Sequence, residues 1–223
     1  VSKNTSDPTS DVLIQEVDDD IRHEEMLKAW KRFAPLIIAC VILLIAGVAG
    51  QQVWKSHKQE LRLKESASFA AANVLGDQGK IKEAEEAFAK LASESKTGQG
   101  VLAKLRQASL QAGSGDIQGA VAACESVVAN KDAPQIYRDL AVIKIGFMTI
   151  DSADPAVLFA RLAPIAAAGP WRHPALEIQA LLSLRQGDVA KARELYSSIA
   201  DATDAPRNLR GRAAEMLAAL GRA

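Results

Sequence analysis

The strongest constraint on this chain is a period of 36 residues. Gly79, Gly115, Asp151 and Gly187 step by 36, and so do Pro134, Pro170 and Pro206. Five residues after each member of the first set stands an alanine: Ala84, Ala120, Ala156 and Ala192. Further columns keep their character in the same register. Ile81, Ile117, Ala153 and Val189 align, as do Ala87, Ala123, Phe159 and Leu195. Phe88, Cys124, Ala160 and Tyr196 form another column, and Leu91, Val127, Ala163 and Ile199 another. Ahead of the turn, Ala72, Ala108 and Ala180 line up, with Lys144 breaking the column. A period in the mid-thirties is the signature of stacked helix pairs. No stretch alternates polar and apolar residues as a half-buried strand does, so the expected class is all-α.

The physical reading of one period is helix A, a tight turn, then helix B. Glycine at the turn supplies a left-handed cap. The aligned alanines let the two helices approach closely, and the larger residues at the 88 and 91 columns fill the space between units. Proline at 134, 170 and 206 starts the next helix A, where a missing donor costs least. No unit can bury its face alone, so several must stack. The register predicts four units, 62–97, 98–133, 134–169 and 170–205. Residues 206–220 add one more helix over the open end, with Arg207, Arg210 and Arg212 on its solvated side.

A second feature divides the chain. Phe33 to Trp54 is 22 residues without a charged side chain. At ~1.5 Å per residue it makes roughly 33 Å of helix, enough for a ~30 Å hydrocarbon core. Trp30 and Trp54 flank it, as aromatic residues do at membrane interfaces, and Lys31, Arg32 and Lys55 stand where basic side chains reach headgroups. A cleaved signal has a short basic leader, whereas here 32 residues with eight acidic side chains come first. The expectation is therefore an uncleaved single transmembrane anchor over 33–54, followed by a repeat domain over 55–223. Residues 1–10 read as a disordered tail. Residues 11–32 read as a juxtamembrane helix, with Asp18–Asp20 early, Lys28, Lys31 and Arg32 late, and a Glu24/Lys28 pair in the favoured direction. Pro35 is expected to begin the span, with a kink where the two helices meet.

Charge and composition exclude several function classes. Net charge is zero; residues 1–33 carry net −3 and residues 54–223 net +3. Neither is the basic footprint of a nucleic-acid binder. The two cysteines, Cys40 in the apolar stretch and Cys124 in the repeats, do not make a disulfide framework. His23, His57 and His173 lie in separate segments without ligand spacing, so no metal or other cofactor is expected. Gly113-Ser114-Gly115 is a helix-to-helix turn and follows no strand, unlike a phosphate loop. The run Glu83, Glu85, Glu86 with Lys82 and Lys90 reads as a solvated face. Convergent polar groups of the kind an enzyme needs are not apparent, so neither catalysis nor a small-molecule substrate is expected.

The 36-residue spacing resembles a divergent tetratricopeptide repeat with two extra residues per unit. On that resemblance Ala72, Ala108 and Ala180 take the family's small position in helix A. Ala84, Ala120, Ala156 and Ala192 take its alanine in helix B, and Phe88 and Tyr196 its aromatic position. The whole layout also resembles the bacterial YfgM-like family, an ancillary subunit of the SecYEG translocon. In that layout an acidic EVDDDIRHEEMLKAWKRF arm from Glu16 to Phe33 leads into a single span and a small Ala-rich repeat domain. That resemblance implies a single-pass bacterial inner-membrane protein with a cytoplasmic N-terminus and a periplasmic repeat domain. Its implied partners are translocon subunits, periplasmic chaperones and emerging polypeptides. Basic residues do not set the orientation: Arg22, Lys28, Lys31 and Arg32 precede the span, and Lys55, Lys58, Arg62 and Lys64 follow it.

The repeat resemblance also implies a groove lined by helix A residues. Carried over by register, these are Phe69 and Asn73, Leu105 and Ser109, Ile145 and Met148, and Glu177 and Leu181. Of the Lys, Asn and Arg set that grips a terminal carboxylate only Asn73 is present, so the expected groove is mildly apolar and suits a helix or extended segment. Two alternatives stand beside it. These side chains are core between helices, with binding elsewhere, or the domain is a membrane-tethered homo-oligomeric scaffold.

Overall fold

The structure is a computed structural model that describes the backbone of residues 8–95 and 98–221, and within these the side chains of Trp30 and of residues from 42 onward. Among the described residues the chain is all helical. In order come α1 (Pro8–Asp77), α2 (Ile81–Glu94), α3 (Gln99–Gly113), α4 (Ile117–Ala129), α5 (Gln135–Met148), α6 (Pro155–Ala167), α7 (Arg172–Arg185), α8 (Val189–Ala200) and α9 (Arg207–Ala219). Two compact units emerge, Val1–Glu60 and Leu61–Ala223.

In the first unit the backbone is helical from Pro8 onward, where the sequence predicts a tail to residue 10 and a helix change near Pro35. A single proline removes one donor and need not end a helix. Residues 1–7 lie outside the described ones. Among the described residues no helix is long and apolar enough to cross a membrane. Of the expected span, residues 33–41 lie outside the described side chains. The rest of it is apolar and solvent-facing: Ile42, Leu43, Leu44, Ile45, Val48, Val53 and Trp54 are 59–72% exposed. Trp30, Trp54 and Lys55 are exposed, Lys58 Nζ lies 5.7 Å from the Trp54 ring centre, and Lys31 and Arg32 lie outside the described side chains.

The second unit is the predicted stack. The end of α1 packs on α2 through Phe69, Ala72 and Phe88; α3 then pairs with α4, α5 with α6, and α7 with α8, and α9 closes the series. Three of the four turns share one cap. Gly79, Gly115 and Gly187 take φ of 76°, 91° and 78°. The next residue's N–H returns to a carbonyl five residues back: Lys80 to Leu75, Asp116 to Gln111, and Asp188 to Ser183. This is the six-to-one bond that needs a residue in the left-handed region. Asp116 and Asp188 then cap α4 and α8 by accepting from Gly119 and Lys191 N–H.

The third turn is a correction to the predicted register. Among the described residues no non-glycine has positive φ, and Asp151 is no exception. A left-handed conformation costs a side-chain-bearing residue about 1–2 kcal/mol. The chain instead turns through Thr149, whose carbonyl accepts from both Ser152 and Ala153 N–H. Helix α6 starts at Pro155, capped by Asp154, which accepts from Ala156 and Val157 N–H. Its start falls two residues later than in α2, α4 and α8 relative to the period. Arg185 of α7 donates to the carbonyls of Ile150 and Ala153 and so closes the irregular turn.

The shift changes which residues are buried. Ala84, Ala120 and Ala192 are buried, followed by Phe88 and Leu91, by Cys124 and Val127, and by Tyr196 and Ile199. In α6 the corresponding Ala156, Ala160 and Ala163 are exposed, and Leu158, Leu162 and Ile165, two residues on, take their places in the core. Pro134 and Pro206 cap α5 and α9, whereas Pro170 precedes the Trp171 cap of α7.

Each core cluster joins one helix pair to the next helix A. Ala72, Phe88, Leu91 and Ala103 form the first, with Phe69 edge-on to Phe88 at 5.1 Å between ring centres. Leu105, Ala120, Cys124 and Ile145 belong to the second, Val142, Leu162 and Ile178 to the third, and Ala180, Tyr196 and Leu209 to the fourth. Gly146 of α5 permits a close approach of α7: a Cβ there would lie 2.9 Å from Ile178 Cδ1.

Candidate functional site

The residues predicted to line a groove on the A helices (the end of α1, then α3, α5 and α7) divide by burial. Leu105 and Ile145 are 5% and 4% exposed and belong to the core between α3, α4 and α5. Phe69 packs on Phe88. These three hold helices together, because a helix A is wedged between its own helix B and the next helix A. Asn73, Ser109, Met148 and Leu181 are half-buried, and they reach the surface.

Along this surface α3, α5 and α9 each send a cation back to an earlier helix A. Arg106 Nε of α3 donates to Asn73 Oδ1 at 3.1 Å, while Asn73 Nδ2 donates to the Phe69 carbonyl. Lys144 Nζ of α5 donates to Ser109 Oγ at 2.7 Å, and Ser109 Oγ donates to the Leu105 carbonyl at 2.9 Å. At the far end Arg212 of α9 grips Glu177 of α7 through Nε and Nη2, both at 2.9 Å. Glu177 is 8% exposed, and its carboxylate holds the Arg212 guanidinium above its ordinary range chiefly through those hydrogen bonds. Glu177 is therefore a buried clamp on the last helix and not an open groove position.

Between α3 and α5 the same surface opens into a recess of ≈ 290 Å³ lined by Ala108, Ser109, Ala112, Lys144, Phe147 and Met148. It brings together two of the predicted residues, Ser109 and Met148. Its other polar group, Lys144, is half-buried, and Phe147 is 43% exposed. Phe147 and Lys144 were missed as site residues. The available signal was the broken alanine column, since Lys144 stands where Ala72, Ala108 and Ala180 are buried.

Cys124 is buried, and burial pushes its thiol up, with Lys144 pulling it only partly back, so it is not an activated nucleophile. Among the described residues no three His, Cys, Asp or Glu side chains come together as a metal set. Other polar side chains meet between helices. Arg161 of α6 holds both oxygens of Glu125 of α4 at 2.6 Å, and His173 Nε2 of α7 lies 3.2 Å from Asp204 Oδ2 ahead of α9.

Comparison with known proteins agrees with this architecture. A family profile described as a tetratricopeptide repeat-like domain matches residues 28–217. No curated protein matches the chain in sequence. Among solved structures, the nearly identical TPR-like repeats of a kinesin light chain from Podosopora anserina superpose with a TM-score of 0.52 at 17% identity, covering 70% of this chain and 84% of that one. That likeness is one of fold.

Proposed function

Because the chain belongs to the tetratricopeptide repeat-like domain family, we propose that it is a non-enzymatic, membrane-anchored protein-interaction module that receives polypeptide partners on its A-helix surface. The observation that carries this reading is the recess between α3 and α5, where apolar Phe147 and Met148 lie beside a cation.

The anchor in this reading is Phe33–Trp54. Its support is the uncharged 22-residue stretch and the ring of exposed Ile42, Leu43, Leu44, Ile45, Val48 and Val53, a helix surface apolar on all sides that lipid would cover. The resemblance of the Glu16–Phe33 arm to the YfgM-like family extends the proposal. The protein sits in the bacterial inner membrane with its N-terminus cytoplasmic and its repeats periplasmic, associating with SecYEG translocon subunits and periplasmic chaperones that act on emerging polypeptides.

Site-specific photo-crosslinking from position 147 in native membranes tests this function. Translocon or chaperone adducts are expected, and adducts only between copies of this chain would replace the reading with a homo-oligomeric scaffold. A C-terminal reporter active only in the periplasm tests the orientation; cytoplasmic activity would overturn it.

A further inference from the structure

The cations on the A-helix surface are unequally satisfied. Where the protein supplies its own anion, the partner of an A-surface cation is a side-chain carboxylate, as in Arg212 with Glu177. Arg106 and Lys144 have only the neutral oxygens of Asn73 and Ser109. Among the described residues neither has a carboxylate at ion-pair distance. The elements around them add positive charge: α3 carries Lys104 and Arg106 and no acidic residue, and α5 carries Arg138 and Lys144 against Asp139.

Lys144 is also the wrong residue for packing. Its column holds buried alanine in the other three units, and the half-buried lysine takes no ionic partner in exchange. Partly desolvating a charge without a counter-charge is unfavourable. A ligand carboxylate would relieve that cost, and charge-assisted hydrogen bonds are about twice as strong as neutral ones. Beside Lys144, Phe147 and Met148 offer an apolar surface one side chain wide.

We propose that Lys144 recognises an aspartate or glutamate side chain on an internal segment of a partner polypeptide, with the adjoining apolar side chain of that segment filling the recess between α3 and α5. This rests on the reading of the A-helix surface as the polypeptide-binding one. A single ammonium lies at the recess, and Asn73 already uses both ends of its amide within the protein, so a side-chain carboxylate fits the donor set better than a chain terminus.

The test uses the full chain in lipid nanodiscs and fluorescence anisotropy of labelled, C-terminally amidated peptides. One peptide carries alternating Glu or Asp with Leu or Phe, and its counterpart carries Gln or Asn at the acidic positions. The acidic peptide is expected to bind roughly tenfold more tightly. Lys144→Ala should abolish that preference without lowering the unfolding midpoint, because alanine is the resident of this column elsewhere, and Lys144→Arg should keep most of it. Equal binding of the two peptides, or an acidic preference that survives Lys144→Ala, overturns the proposal. Tighter binding of the same peptide with a free C-terminus would transfer recognition to a terminal carboxylate and overturn it as well. Failure here is separable from failure of the wider function. Equal binding of the two peptides together with polypeptide adducts from position 147 refutes only the carboxylate preference, whereas absence of any polypeptide adduct refutes the binding surface itself.

Discussion

Residues of one type in one column of the period do not share one environment. Ala120 is fully buried against helix A, whereas Ala156 faces solvent because α6 is set two residues later. Ala120→Leu should therefore overpack the core and lower stability by about 1–3 kcal/mol. Ala156→Leu should stay within about 0.5 kcal/mol. Urea unfolding of the two variants checks the contrast, and similar losses would contradict the shifted register. Tyr196 gives a second residue-level prediction. Burial, with Glu177 nearby, pushes its hydroxyl up to about 12. The unfolded chain ionises near pH 10, so the neutral phenol's stabilisation is complete below about pH 10 and is lost as pH rises toward 12. Absorbance titration should show a late phenolate step that Tyr196→Phe removes, and Tyr196→Phe should flatten the fall in stability over that interval.

At the level of elements, the period located the helix pairs because the same cap recurs. Glycine stands at 79, 115 and 187 with positive φ, and each is followed two residues on by the start of a helix B. The third pair escaped that rule because Asp151 holds a glycine column without adopting a glycine conformation. The sequence did carry the alternative signal: Asp154-Pro155 is a capping residue followed by proline at the first helical position, and α6 begins there. Asp154→Ala should accordingly cost about 1 kcal/mol in thermal or urea unfolding. An effect near zero would mean that Arg185, through the carbonyls of Ile150 and Ala153, holds the turn alone. Burial on the A helices was less legible than their boundaries. Periodicity marks Leu105 and Ile145 as apolar, but a helix wedged between two neighbours has two inner faces, and only the packing tells which face stays open. Lys144 was visible as a broken column, yet nothing in the spacing told whether its ammonium turned to solvent or, as it does, to Ser109.

For the whole repeat unit, stability is local because every core cluster is made by one helix pair and the next helix A. Such stacks behave as nearest-neighbour chains, and their ends need closure. Helix α9 supplies it: Leu209 and Ala213 complete the core of Tyr196 and Ile199, and Arg212 answers the buried Glu177 carboxylate. Arg212→Ala should cost about 1–2 kcal/mol, less than a fully buried pair would, because the arginine side chain is half in solvent. Deleting residues 203–223 removes both contributions and leaves Glu177 facing an open end. Hydrogen exchange should then accelerate in α7 and α8 while α3 and α4, two clusters away, keep their protection. Equal acceleration in all four helices would show that the stack opens as a single cooperative body. In that case the recess between α3 and α5 would depend on the far end of the molecule for its shape, and Arg212 would influence ligand binding at Lys144 without touching it.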